Sequence, residues 1–106
     1  GDDPEDMLFA VRRIQELQGG FLTVKGKKVL AELALPVCGI LSEQGVRETA
    51  LGLRAVRDSL KDLGYRHSNP VMSLGTLGLP VSPALKLTDK GLVDVKRSEI
   101  VPLIVE

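Results

Sequence analysis

The sequence predicts a small α+β domain, a two-layer sandwich in which about two helices pack on a mixed, mainly antiparallel sheet. Three observations carry that expectation. Two segments repeat apolar residues at helical spacing, one near the start and one in the middle of the chain. Between them lie two short β-type runs separated by Gly26-Lys27. After them come further aliphatic runs broken by Pro and Gly.

Each element has its own local cause. Asp3 can cap free backbone N–H groups, and Pro4 at the first helical position has no N–H to leave unpaired. Met7, Ala10, Val11, Ile14 and Leu17 then form one stripe, and Gly19-Gly20 is expected to stop the helix. Glu5 and Asp6 sit at the positive end of its dipole. Phe21–Lys25 and Lys28–Leu35 read as strands around a tight turn, with Val29, Ala31, Leu33 and Leu35 alternating in the second. Pro36 withdraws a ladder donor and ends that strand, and Val37–Leu41 reads as a buried apolar link.

A second helix is expected from Ser42–Gly45 to about Leu63, with Val46, Ala50, Leu53, Val56, Leu60 and Leu63 inward and Gly64 as its stop. Gly52 within it costs about 1 kcal/mol relative to Ala, so a close packing contact is expected there. Val71–Leu79 reads as a buried strand, although periodicity alone does not separate it from a short helix. Asp89-Lys90-Gly91 is a turn into Leu92–Val95, and Ile100–Val105 is a terminal strand that Pro102 confines to an edge or a bulge. No repeat or linker marks a boundary, so residues 1–106 are expected to form one domain.

Composition excludes several classes of function. Lys plus Arg equals Asp plus Glu at 14 each, so no net basic field attracts nucleic acid or an anionic membrane. Lys25, Lys27 and Lys28 are read as a solvated hairpin tip. No apolar run approaches the roughly 20 residues of a membrane span. The acidic start has the wrong charge for a secretory leader, and the single cysteine cannot form an internal disulfide, so a cytoplasmic location is expected.

No catalytic set assembles from the residues. Cys38, among Val37, Gly39, Ile40 and Leu41, reads as a buried inert thiol. His67, the only histidine, lies in a polar loop and reads as an exposed titrating side chain. Ser42 and Ser73 have no other base to activate them. Asp89 reads as a turn residue, and a carboxylate-only metal site from Asp89 and Asp94 is the less favoured reading. The cytidine-type zinc motif, H-x-E with P-C-x-x-C, is excluded because there is no second cysteine and no His-x-Glu. No residue is assigned to catalysis, to a cofactor or to a metal.

Several stretches, in order, resemble the C-terminal domain of adenine deaminases of the amidohydrolase type. They are Glu5-Asp6-Met7, the Gly19-Gly20 pair, Phe21-Leu22-Thr23-Val24, Leu35-Pro36-Val37 and Gly39-Ile40-Leu41-Ser42. Met72-Ser73-Leu74, Leu79-Pro80-Val81, Pro83, Leu85-Lys86-Leu87-Thr88-Asp89 and Gly91-Leu92-Val93-Asp94-Val95 complete the series. Thr76, Gly78 and Ser82 depart from the family pattern.

The resemblance implies a parent enzyme of purine metabolism that converts adenine and water to hypoxanthine and ammonia. It would use divalent manganese or iron held in a separate barrel domain. A barrel takes roughly 250 residues and several metal-binding histidines, so this chain is expected to be inactive alone. Its implied role is structural, with that barrel as partner and a homo-oligomer as a further possibility. The proline-fixed apolar stretch Leu77–Leu85 marks Leu79, Pro80, Val81, Pro83 and Leu85 as interface candidates. The competing reading is a stand-alone binding or interaction module related to that domain and without deaminase activity.

Overall fold

The computed structural model describes residues 1–104, and the elements run in the order α1 (Pro4–Leu17), β1 (Gly20–Lys25), β2 (Lys28–Ala34), α2 (Val46–Asp62), α3 (Pro70–Gly75), β3 (Leu85–Thr88), β4 (Gly91–Asp94) and β5 (Glu99–Val101). The class is α+β, with every strand pair antiparallel. The strands divide between two sheets, β1-β2 and β3-β4-β5, rather than joining in one. Each strand pairs with its sequence neighbour across a short turn, the pairing that costs least loop-closure entropy. The chain clusters into two compact units, Gly1–Arg66 and His67–Glu106, each holding one sheet.

In the first unit, Asp3 caps α1 by accepting from the Glu5 and Asp6 N–H groups at 2.8 and 3.0 Å. The two first-turn acids do more than meet the dipole. Asp6 accepts from the Gly26 and Lys27 N–H groups at 2.8 and 2.6 Å, and Glu5 pairs with Lys27. Both turn residues have left-handed φ, near 59° and 56°, so their amides point the same way and suit one carboxylate. The hairpin tip is therefore tied to the start of α1.

The end of α1 differs from expectation. Gln18, not a glycine, takes the left-handed position at φ 61°, and its amide bonds back to Gln15 O. The glycines serve a different constraint. A Cβ on Gly19 would collide with the Gly39 backbone, and Gly19 O accepts from Leu35 N at 3.0 Å.

Phe21 pairs with Leu33 and Thr23 with Ala31, placing those four side chains on one face of the hairpin. Helix α2 covers that face. Ala31, Leu33, Leu35 and Val56 form the buried core, with Phe21, Leu53 and Leu60 against it. Inside this contact, the buried Thr23 and Ser59 hydroxyls lie 2.7 Å apart. Ser59 Oγ is placed to donate to Val56 O at 2.9 Å and Thr23 Oγ1 to Ala31 O at 3.3 Å, and either hydroxyl can donate across the pair. Neither is left unsatisfied, which burial would otherwise penalise. Arg13 of α1 reaches the opposite side of β2, where it grips Glu32 through two hydrogen bonds of 2.8 and 2.9 Å.

The second unit departs most from expectation. Val71–Leu79 is not a strand. Asn69 and Pro70 supply a helix start, Ser73 donates back to Asn69 O, and α3 runs on into a 3₁₀ turn at Thr76–Gly78. The segment is largely exposed, Met72 and Leu77 included. The terminal strand covers only Glu99–Val101 and stops before Pro102, whose missing N–H cannot extend the ladder. Val105 lies outside the described residues.

Two expectations follow for the first unit. A Cβ on Gly52 would lie 2.9 Å from Leu33 Cδ1, so the predicted close contact exists. Gly52→Ala gains roughly 1 kcal/mol of helix propensity but overpacks the core by about 1–3 kcal/mol. Urea denaturation should show a net loss of stability, and a stabilised variant would refute the packing argument.

The Arg13 hydrogen bonds hold the Glu32 carboxyl below its usual range. Its contribution to stability is therefore complete above the unfolded carboxyl value of about 4.5 and fades as pH falls through the folded one. Wild type should lose more stability than Glu32→Gln across that acid window. The difference should be small, because both side chains keep a third of their surface in water.

Candidate functional site

Asp94, Ser42 and Ser73 are committed to local hydrogen bonds. Asp94 accepts from the Lys96 and Arg97 N–H groups at 3.0 and 3.1 Å, closing the β4–β5 turn. Asp89 is exposed in the β3–β4 turn, where Thr88 accepts from Lys90 N and donates to Gly91 O. Ser42 accepts from Gln44 N, and Ser73 is bonded within α3. His67 is exposed, as its loop suggested.

Cys38 corrects the sequence reading. It is a free and exposed thiol at φ 55°, in a turn closed by the Val37–Leu41 bridge. The Val37–Leu41 link is not buried: Ile40 is 72% and Leu41 58% exposed. The reason is geometric. Val37 N bonds Leu41 O and Leu41 N bonds Val37 O, so the backbone closes on itself and turns the side chains outward.

Among the described residues, no three His, Cys, Asp or Glu side chains converge to hold a metal ion. The divalent metal that the family resemblance implies does not fit the residues present. Among the described residues, no helix is long and apolar enough to cross a membrane.

What the second unit does offer is apolar surface. All five interface candidates are exposed: Leu79, Val81 and Leu85 by roughly half to three quarters, with Pro80 and Pro83 beside them. Leu79 O accepts from Ser82 N, so the loop between the prolines is itself a turn. Leu85 belongs to a different surface. Its pairing opposite Asp94, and that of Leu87 opposite Leu92 opposite Val101, place these side chains on one face of the three-stranded sheet. Leu85, Leu92 and Val101, together with Asp94 and Arg97, line a concavity of about 900 Å³ that Leu103 and Ile104 border. Lys86, on the opposite face, donates from Nζ to Leu77 O at 3.5 Å, and Gly78 and Pro80 share a second concavity with Leu87, Val93 and Ile100.

The structure thus sorts the predicted stretch into a loop and a sheet face. It adds Leu87 at 75%, Leu103 at 72% and Ile104 at 78% exposure, which the sequence reading did not single out. A signal existed. Leu85-Lys86-Leu87 alternates, which puts both leucines on one side of a strand.

The family model for the adenine deaminase C-terminal domain matches residues 1–99. An adenine deaminase of Clostridium perfringens (strain 13 / Type A) is 46% identical over 103 residues, which is 97% of this chain and 18% of that protein. Adenine deaminase 2 of Shouchella clausii is 50% identical over 100 residues, 94% of this chain and 18% of that protein. An adenine deaminase of Thermosipho africanus is 43% identical along the whole chain, again 18% of its own length. No solved structure matches. The chain spans 18% of the length of each of these relatives and belongs to the adenine deaminase C-terminal domain family.

Proposed function

We propose that both units of this chain together serve as one accessory domain of an adenine deaminase, a cytoplasmic enzyme of purine metabolism. The parent enzyme converts adenine and water to hypoxanthine and ammonia, and its catalytic residues and its manganese or iron lie in a barrel domain outside this chain. The chain contributes surface, not chemistry. Leu79, Pro80, Val81, Pro83 and Leu85 pack against the catalytic portion of the same protein, with Leu87 beside them.

The observation that carries this reading is the uncovered apolar side of the three-stranded sheet, with Leu85 at 55% and Leu87 at 75% exposure. Apolar surface is favourable to bury at about 25 cal/mol per Å², and contiguous exposed patches mark interaction sites. The relatives' own names, and the 18% of their length that this chain matches, support a partner within the same protein.

The test is ammonia release from adenine with added manganese, on this chain and on the longer protein that contains it. The chain alone should be inactive. In the longer protein, Val81→Glu with Leu87→Glu should lower activity or its thermal midpoint, by about 1–2 °C if roughly 1–2 kcal/mol of packing is lost. Turnover by the isolated chain, or no effect of the paired substitutions, would refute the proposal.

A further inference from the structure

Hydrophobic periodicity does not by itself fix where α2 sits along the β1-β2 hairpin. Ala50, Leu53, Val56, Leu60 and Leu63 recur every three or four residues, so a slide of one helical turn, about 5.4 Å, presents nearly the same apolar stripe. Apolar burial is non-directional and discriminates weakly between two such placements.

Two positions break that repeat. Gly52, Val56 and Ser59 share one face of α2 at four- and three-residue spacing. A Cβ at Gly52 would lie 2.9 Å from Leu33 Cδ1, and Leu33 is itself buried, so its methyl group has little freedom to retreat. Ser59 Oγ lies 2.7 Å from Thr23 Oγ1, with both residues buried.

Slipped placements fail at both points together. Moving Ala55 or Val56 beneath Leu33 brings Asp62 or Leu63 to the Thr23 hydroxyl. Moving Glu48 or Thr49 there brings Ala55 or Val56 to it. Each slide puts a side chain where Gly52 has none, and each takes the hydroxyl partner away from Thr23. We infer that Gly52 and Ser59 form a two-point lock, one point steric and one hydrogen-bonded, that selects a single register of α2 on the hairpin. The hydroxyl pair acts on uniqueness more than on stability, because exchanging both partners for apolar groups of the same shape is close to neutral. The selected register also sets where the helix ends, at Tyr65 N bonded to Leu60 O and a left-handed Gly64 at φ 91°.

The test compares amide relaxation dispersion with urea midpoints in the isotopically labelled 106-residue chain. Thr23→Val with Ser59→Ala removes the hydrogen-bonded point alone. Its midpoint should stay close to wild type, while dispersion across the Val46–Asp62 amides should report a slipped population about fivefold larger. Adding Gly52→Ala removes both points, and the same signals should split into two sets. Thr23→Ser with Ser59→Thr keeps a hydroxyl pair and the total volume, and should match wild type. Unchanged dispersion in the Thr23→Val, Ser59→Ala variant overturns the inference. Loss of folding in that variant overturns it as well, because the pair would then carry stability and not register.

Discussion

The first unit depends on how closely α2 approaches β2. A methyl group on Gly52 would press on Leu33 Cδ1, and Val56 on the same helix is almost fully buried. Among the described residues the buried apolar core is only Ala31, Leu33, Leu35 and Val56. With so few large side chains enclosed, stability rests on contacts of high quality. The Thr23–Ser59 hydroxyl pair is satisfied inside the interface, and the hairpin tip is fastened to α1 through Asp6. Such ties fix register and orientation where hydrophobic volume alone would not.

A core this small leaves much aliphatic surface outside. Ile40, Val46, Leu87 and Ile104 are each more than 70% exposed. Scattered exposed leucines are normal in any soluble protein, but an apolar sheet face bordering a concavity is not a scatter. The same economy explains the local fates of the polar residues. Asp94, Ser73 and Thr88 spend their hydrogen-bonding capacity on turns and caps.

Sequence reading succeeded where a residue's effect is local. Asp3-Pro4 starts a helix in any context, and Gly26-Lys27 between two alternating runs makes a hairpin. It failed where two local signals competed. Val71–Leu79 is apolar enough for a strand, yet Asn69-Pro70 supplies a cap and a first helical residue, and the cap prevailed. Gly19-Gly20 looked like a helix stop, but Gln18 accepts the left-handed position because the glycines are needed for the approach of Gly39 and of β2. The surface candidates Leu79, Pro80, Val81, Pro83 and Leu85 were legible as an apolar stretch, whereas Leu103 and Ile104 were not. Their part in the concavity depends on where β5 stops.

By itself the sequence determined the α+β class, the hairpin, the two long helices and the family, because caps, turns and periodicity act within a few residues and need no partner. Only the tertiary structure decided that the strands form two sheets, that Cys38 faces solvent, and which aliphatic side chains remain uncovered. Burial is a property of what packs against a residue, and hydrophobicity in the sequence is silent about whether that neighbour comes from the same chain.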